Sequence, residues 1–276
     1  MPDLKRSLII PFVLLLSLSY AFPHAYASNL APSAEAAILM EASQNKVIYE
    51  KNADAKLPMA STTKIMTAVT VLEFFTPETK MTVPADAVGT EGTSASLEAG
   101  EVYTLRDLLI ALLLQSANDA AVAIAVNAAG SVDDFAVLMN RTANHMGLTN
   151  TNFKNPHGLP DGEHYTTARD LAMITSHALK NECIKEIVAM QKASILSEGG
   201  KVRYFRNHNK MLSLYEGANG VKTGYTKASG RCLVSSAERD GVTLIAVTLN
   251  CPNDWREHTA MLDHGFSIFP AYTIIK

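Results

Sequence analysis

The chain has 276 residues with 47% hydrophobic content, enough for one large domain or two modest ones around a sizeable core. It carries 24 basic and 27 acidic residues, a formal net charge of −3, and no run of lysine or arginine that could follow a phosphate backbone. We therefore expect no nucleic-acid partner.

The N-terminus has the pattern of an export signal. Lys5 and Arg6 precede an apolar segment, residues 8–22, and a small-x-small cleavage pattern follows it. The apolar segment is short for a membrane span, so a retained membrane anchor is the weaker alternative. We predict a signal peptide over residues 1–27 and an exported, extracytoplasmic mature chain, residues 28–276, that is associated with the cell envelope or secreted.

Hydrophobic patterning predicts strands at both ends of the chain and helices between them. Strands are predicted at residues 35–41, 46–50, 202–206, 220–223, 231–238 and 242–250. Helices are predicted at residues 65–75, 105–114, 120–129 and 131–146, from residue 167 onward, and at 253–269. This order predicts an α+β fold: an antiparallel sheet flanked by helices, completed by the first and last parts of the chain. A mainly helical subdomain, roughly residues 85–165, is inserted into it.

Three cysteines are spread widely along the chain, at Cys183, Cys232 and Cys251. They are too few for a disulfide framework, and their spacing has no metal-binding pattern. One disulfide with a leftover thiol and three buried thiols both stay open.

A serine and a lysine three residues apart, Ser61 and Lys64, stand where the helix of residues 65–75 begins. We expect Ser61 to be the N-cap or a first-turn residue. Side chains three apart lie on one helix face, so the hydroxyl and the amine could meet as an activated nucleophile requires. Taken alone, such a pair is more often a helix cap beside a solvated lysine.

Two further short motifs follow along the chain. Ser116-Ala117-Asn118 stands at a break between two apolar helices, and Lys222-Thr223-Gly224 stands on a predicted strand. Together with Ser61 and Lys64 they correspond to the set S-x-x-K, S-D-N and K-T-G, with the first and third matched and Ala117 standing where the second has aspartate. Each triplet alone has a structural explanation, but their order and contexts favour one catalytic site.

With these motifs the sequence resembles the serine D-alanyl-D-alanine carboxypeptidases, low-molecular-mass penicillin-binding proteins of the peptidase S11 type with a β-lactamase-like fold. The resemblance covers roughly residues 36–269, and a small residue at Ala117 is usual in this family. Many relatives carry a β-rich second domain and a membrane-bound helix after the catalytic domain. The chain after Gly224 is too short for both, so we expect no second domain, and peripheral membrane association stays open. The longest matching segments are residues 56–68, 116–121, 155–161 and 220–226.

The resemblance implies a serine carboxypeptidase that removes the terminal D-alanine of peptidoglycan stem peptides and is inhibited by β-lactams. Ser61 is the expected nucleophile, and a neutral Lys64 is its base. We expect burial near a second cation, Lys222, to favour that neutral form. Ser116 is the expected proton relay to the departing amine. No metal or organic cofactor is expected.

The remaining motif residues are expected to bind substrate. Asn118 would hold the substrate's amide carbonyl or orient the base, while Lys222 and Thr223 would bind the terminal carboxylate. Gly224 and Tyr225 continue the same strand, and the backbone N–H of Tyr225, with that of the nucleophile, would form the oxyanion site.

Three alternatives stay open. A class A-like β-lactamase would need a glutamate that positions water over the acyl-enzyme, and no well-placed glutamate follows the second motif. A catalytically idle relative that only binds peptidoglycan would not need all three motifs. His157 and His164 invite a zinc site, but without an H-E-x-x-H helix we favour hydrogen-bonded loop histidines.

Overall fold

The computed structural model describes residues 29–269, so the predicted signal peptide lies outside the described residues. The strands are β1 (Ala36–Glu41), β2 (Lys46–Lys51), β3 (Lys80–Thr82), β4 (Val102–Thr104), β5 (Lys192–Leu196), β6 (Val202–Arg206), β7 (Ala218–Thr226), β8 (Gly230–Arg239) and β9 (Val242–Leu249). The α-helices are α1 (Lys64–Leu72), α2 (Leu105–Ile110), α3 (Asn118–Ala129), α4 (Val132–His145), α5 (Ala168–Ala178), α6 (Glu182–Ala189), α7 (Met211–Leu214) and α8 (Asp254–Ile268). Shorter helical turns are Ala60–Thr63 and Ala85–Ala87, both 3₁₀, and the π-helical turn Ala111–Gln115.

One antiparallel sheet organises the fold, with five strands in the order β2-β1-β9-β8-β7. Its central pairing joins β1, from the start of the chain, to β9, from near its end. The predicted α+β architecture, with a sheet completed by both ends of the chain, is confirmed. Among the described strands β7 stands last, so its outer edge is free to face the helices and the cleft.

Both faces of the sheet are covered by helices, which explains why every residue of β1 is buried. Ile38 and Met40 point into the larger core, where α1 and α5 pack. Leu39 points to the opposite face, where it packs with Met261 and Leu262 of α8. A strand that is covered on both faces reads as a continuous apolar run rather than as an alternating one.

The start of α1 differs from the sequence prediction. Ser61 is not the N-cap; it lies inside the 3₁₀ turn, and the α-helix begins at Lys64 after Thr63. The reason is Ala60, whose φ of +47° lies in the left-handed region and bends the chain just before the helix. The serine is therefore held on a tight turn in front of α1.

The helix predicted at residues 105–114 is also different in its second half. It is α-helical only to Ile110 and continues as a π-helical turn that ends at Ser116. The φ of Ser116 is +64°, a conformation that a right-handed helix does not accommodate. The next helix begins at Asn118 rather than at Ala120, so the second motif straddles the break.

A separate hairpin lies outside the main sheet. The predicted strand at residues 202–206 exists as β6, but it pairs with β5 in a two-stranded sheet of its own. The sequence prediction missed β5 and α6 because both are short and β5 is largely exposed. β5 therefore gives little hydrophobic periodicity to detect, whereas α6 is amphipathic but has only eight residues, fewer than a helix usually needs to be recognised from its pattern.

The three cysteines are free thiols, with Cys232 and Cys251 buried and Cys183 partly buried. The disulfide alternative is therefore excluded. Within residues 29–269, no single helix has both the length and the hydropathy needed to span a membrane, and only the bent pair α3–α4 meets that test, on length and composition alone.

A buried histidine predicts how stability depends on pH. The ring of His258 lies fully buried between the hydroxyls of Ser235 and Thr248, with N···O distances of 2.5 and 2.9 Å. Burial lowers the pKa of His258 to about 3. In the unfolded chain this histidine takes up a proton near pH 6.5, whereas in the folded protein it stays neutral down to about pH 3. The neutral buried ring therefore contributes its full stabilisation above pH 6.5, and this stabilisation is lost as the pH falls toward 3.

We expect the melting temperature to fall between pH 6.5 and 4, and to fall less steeply in His258→Gln. Thermal unfolding followed by circular dichroism across this range measures the slope. His145→Gln, an exposed position near the end of α4, is the control and should keep the wild-type slope. Equal slopes in all three proteins would contradict the assignment.

Candidate active site

The candidate nucleophile is held by hydrogen bonds within its own turn. Thr62 Oγ1 donates to Met59 O at 2.6 Å, and Thr63 Oγ1 donates to Ala60 O at 2.8 Å. These bonds fix the backbone on both sides of Ser61. The serine hydroxyl consequently stands at the N-terminal end of α1, at the wall of an open cleft.

The amine of Lys64 is buried, with 0% of the residue exposed, and has three oxygen neighbours. Its Nζ lies 3.0 Å from Ser61 Oγ and 2.7 Å from each of Asn118 Oδ1 and His157 O. The last two oxygens can only accept hydrogen bonds. A neutral amine has two N–H groups and one lone pair, so its N–H groups go to these acceptors and its lone pair is left for the Ser61 hydroxyl.

Burial is the main cause of the lowered pKa of Lys64. Burial first, and then the charge of Lys222, lowers the pKa of Lys64 well below the usual lysine value, while Asp119 acts in the opposite direction. The sequence-based expectation named burial near the cation Lys222, and both causes are present, with burial the larger. The low dielectric around the amine is the larger effect because it penalises the charged form directly.

A second hydrogen-bonded group faces the same cleft. Lys222, 1% exposed, donates from Nζ to Ser116 Oγ and to Thr223 O, each at 2.9 Å. Burial lowers the pKa of Lys222 to about 7. The left-handed backbone of Ser116 is what turns its hydroxyl toward this strand, away from the helix that precedes it.

The outer edge of β7 forms the opposite wall of the cleft, which has a volume of about 380 Å³. A Cβ placed on Gly224 would lie 3.0 Å from the backbone nitrogen of Ser61 and 3.1 Å from Met59 O. Glycine therefore allows the strand to approach the serine turn. Thr223 and Tyr225 line the same wall, and the side chain of Tyr225 is 67% exposed.

The sequence prediction gave no role to the loop that supplies the third neighbour of Lys64. Thr67 Oγ1 donates to Pro156 O at 2.6 Å, which anchors the loop on α1 beside the His157 carbonyl. Gly158 has a φ of +90°, and a Cβ there would lie 1.9 Å from Ala60 O. The sequence contains this loop as the run Asn155-Pro156-His157-Gly158. Its role is not visible there, because a backbone carbonyl that accepts a hydrogen bond cannot be recognised from the residue types.

Asp119 is a second residue that the sequence prediction missed. Its buried carboxylate accepts from the backbone N–H groups of Ala95 and Leu97 and from the Ser94 hydroxyl. It thereby holds the loop that borders Asn118, whose Nδ2 donates to Glu91 O. This second bond fixes which amide atom of Asn118 faces the lysine.

The two loop histidines are hydrogen-bonded, as the sequence analysis favoured. His164 Nε2 lies 2.8 Å from Thr63 Oγ1, and its Nδ1 accepts from Lys154 N at 3.0 Å. Burial lowers its pKa to about 4, and burial with the charges of Lys64 and His164 lowers the pKa of His157 to about 3. Within residues 29–269, no cluster of three or more histidine, cysteine, aspartate or glutamate residues is arranged to hold a metal ion.

Comparison with known proteins agrees with this arrangement. The family model described as D-alanyl-D-alanine carboxypeptidase, peptidase S11, matches residues 24–253. The chain belongs to this family. A D-alanyl-D-alanine carboxypeptidase of Bacillus subtilis is 33% identical over 288 aligned positions, which cover 99% of this chain and 74% of the relative.

Relatives from other bacteria show the same family and fold. A D-alanyl-D-alanine carboxypeptidase of Streptomyces sp. strain K15 is 35% identical over 80% of this chain and 83% of its own length. The crystal structure of the Streptomyces K15 DD-transpeptidase superposes with a TM-score of 0.79 and 33% identity, over 85% of this chain and 97% of that one. The predicted DD-peptidase-like fold is thereby confirmed.

Gly158 offers a test of the loop that orients the base. Gly158→Ala places a methyl group against the Ala60 carbonyl and adds about 1–2 kcal/mol for the left-handed φ. We expect a lower melting temperature and slower acylation, because the serine turn and the His157 carbonyl move together. Gly162→Ala is the matched control, because it lies in the same loop with open space around its Cβ. Equal acylation rates in both variants would contradict this role.

Proposed function

We propose that the chain is a serine D-alanyl-D-alanine carboxypeptidase, which removes the terminal D-alanine of peptidoglycan stem peptides through an acyl-enzyme on Ser61. The observation that carries the proposal is the buried Lys64 amine, whose Nζ lies 3.0 Å from the Ser61 hydroxyl oxygen. Membership of the D-alanyl-D-alanine carboxypeptidase family supports the same activity.

Substrate binding uses the wall formed by β7. The terminal carboxylate of the stem peptide lies at Lys222 and Thr223, where a cation and a hydroxyl form charge-assisted hydrogen bonds. The scissile carbonyl then stands over Ser61, with its oxygen between the backbone N–H groups of Ser61 and Tyr225. The close approach at Gly224 supports this placement because it brings the strand backbone to the serine nitrogen.

Acylation follows from the protonation states. Lys64 takes the hydroxyl proton while Ser61 Oγ bonds to the carbonyl carbon, and the negative charge on the oxygen is stabilised in the oxyanion site. The C–N bond then breaks, and the departing D-alanine amine receives a proton through Ser116. Water hydrolyses the ester and restores the serine. Asn118 keeps the lysine oriented throughout, because its Oδ1 accepts one of the two N–H groups.

β-Lactams acylate the same serine, since their strained amide presents a carbonyl and a carboxylate to the same groups. The β-lactamase alternative requires a glutamate over the ester. Glu163, in the loop after the second motif, is exposed and lines a different cavity with Asn140 and Phe153. We therefore propose slow release of bound penicillin. The idle-relative alternative is not supported, because a binder has no use for a buried neutral lysine beside a serine.

Export is part of the proposal. The predicted signal peptide would deliver the enzyme outside the cytoplasm, to the compartment that contains peptidoglycan.

Covalent labelling tests the nucleophile and the base. With a fluorescent penicillin, we expect the wild type to form an adduct that persists for many minutes, and Ser61→Ala to form none. Lys64→Ala should remain folded and acylate slower by about 10³-fold, the usual contribution of a positioned base. Gel fluorescence gives the acylation rate, and D-alanine release from a pentapeptide gives turnover. A wild type that forms no covalent adduct with the fluorescent penicillin would contradict the catalytic assignment.

The pH dependence of acylation tests the coupling of the two lysines. Acylation should slow as the pH falls, because Lys64 gains a proton. Removal of the neighbouring charge in Lys222→Met raises the pKa of Lys64, so the acidic limb should move to higher pH. Lys227→Met, an exposed cation beyond β7, is the control and should leave the limb in place. If the acidic limb of the Lys222→Met profile keeps its position or shifts to lower pH, the result contradicts the coupling between the two lysines.

A further inference from the structure

A second, larger cavity of about 650 Å³ adjoins the catalytic cleft, and the two share His208 and Lys210 in their walls. Ser61, Ser116 and Thr223 line the smaller cleft and not the larger cavity. A volume of this size holds a whole small molecule rather than a single ion. The acyl transfer proposed above assigns no ligand to it.

One part of the wall of this cavity carries positive charge. Arg206 and Lys210 line it, and neither has an ion-pair partner within residues 29–269. No aspartate or glutamate of the same range lines it. Two unpaired cations without a carboxylate beside them indicate an anionic ligand.

One buried donor in the same wall lacks an acceptor. Asn209 precedes Lys210 in the chain and is 3% exposed, and its Oδ1 accepts from Met211 N at 3.1 Å. Its Nδ2 has no hydrogen-bond partner among the described residues. Because buried donors are nearly always paired, this amide indicates an acceptor oxygen supplied from the cavity.

The number of donors favours a phosphate over a carboxylate. The guanidinium of Arg206 has five N–H groups in a planar fork, the ammonium of Lys210 has three, and the Asn209 amide adds its own. A phosphate group presents three terminal oxygens that can accept several of these bonds at once, whereas a carboxylate presents two. Guanidinium groups also bind phosphates in a bidentate manner.

Two glutamines give another part of the wall the opposite property. Gln115 Nε2 donates to Ser94 O at 3.3 Å, and Gln191 Nε2 donates to Leu212 O at 3.2 Å. Both glutamines line the cavity. Because their amide N–H groups bind the backbone, their Oε1 atoms are left to accept hydrogen bonds, and hydroxyl groups of a ligand are suitable donors.

We propose that the larger cavity binds a phosphorylated polyol or sugar, with its phosphate at Arg206 and Lys210 and its hydroxyls at the two glutamines. The binding is non-covalent and independent of the acyl transfer at Ser61. The ligand is either a free small molecule or one unit of a polymer joined by phosphodiesters, since both present the same groups. It lies next to the catalytic cleft, whose wall also includes His208 and Lys210.

Isothermal titration calorimetry at constant ionic strength tests the proposal with glycerol phosphate, inorganic phosphate and glycerol as probes. We expect glycerol phosphate to bind, inorganic phosphate to bind about tenfold more weakly, and glycerol to give no measurable binding. Arg206→Gln should weaken the binding of both phosphates by about tenfold, the size of one lost charge-assisted hydrogen bond. Arg206→Lys, which keeps the charge, should recover part of the loss. Gln191→Leu should weaken the binding of glycerol phosphate alone, because inorganic phosphate has no alcohol hydroxyl.

Two control variants locate the binding. Lys192→Gln removes the exposed cross-strand partner of Arg206, which does not line the cavity, and should change the affinity by less than about twofold. Thr223→Val changes the smaller cleft only and should leave the binding of every probe unaffected. The melting temperature of each variant without ligand shows whether it is folded.

An oligomer of glycerol phosphate joined by phosphodiesters distinguishes the two sources of the ligand. If each oligomer binds more tightly than glycerol phosphate, the ligand is a unit of a polymer. If it binds more weakly, the ligand is a free small molecule. Either result supports a site for a phosphorylated polyol.

Three results overturn the inference. The first is a wild type that does not bind glycerol phosphate. The second is an equal loss of affinity in Arg206→Gln and Lys192→Gln, which indicates a general effect of charge. The third is a loss in Thr223→Val that matches the loss in Arg206→Gln, which places the probe in the catalytic cleft. Penicillin labelling of Ser61 tests the proposed function separately, so that function stands or fails without regard to these results.

Discussion

The candidate site depends on one buried amine held between two oxygens that can only accept. A charged lysine in such a place would lose its hydration without a counter-ion in contact, and this cost drives the amine toward its neutral form. The Asn118 and His157 oxygens then take both N–H groups of Lys64. The lone pair of the neutral Lys64 nitrogen is then left for the Ser61 hydroxyl. Orientation and basicity thus come from the same burial.

The surrounding fold serves this arrangement through elements that are distant in sequence. The first helix carries the lysine, the break before α3 carries Asn118, and a long loop carries the His157 carbonyl. Each is fixed by its own network: Thr67 holds the loop on α1, and Asp119 holds the segment that borders Asn118. The edge strand β7 closes the cleft, because its free side can approach the serine turn only where glycine removes the side chain.

The sequence allowed much of this to be predicted, because the reacting groups are side chains in ordered motifs. The pairing of Ser61 with Lys64 follows from their spacing, and the sheet made by both ends of the chain follows from hydrophobic period. The joining of Ser116 and Lys222 to the same site follows from the motif set that the sequence shares with the family it resembles. The conformation of the Ser61 turn could not be predicted, because the left-handed φ belongs to Ala60 and the sequence gives no reason to expect an alanine there. The role of the His157 carbonyl could not be predicted either, because every residue has a backbone carbonyl. The weight of burial over charge at Lys64 also needs the structure, because burial is a property of the whole fold.

The two lysines are coupled to each other and to any carboxylate bound beside Lys222. Lys222 has a pKa of about 7, so near neutral pH it is only partly charged before a ligand arrives. A carboxylate bound beside it favours its charged form. That charge in turn lowers the pKa of Lys64, the second cause of its neutrality after burial. Because linked equilibria are reciprocal, a carboxylate that raises the pKa of Lys222 also binds more tightly to the charged form of Lys222. The negative charge of the bound carboxylate acts on Lys64 in the opposite direction to the charge of Lys222, as Asp119 does. The selectivity for a free C-terminus therefore arises mainly from binding, and burial remains the main cause of the lowered pKa of Lys64 whether or not the substrate is bound.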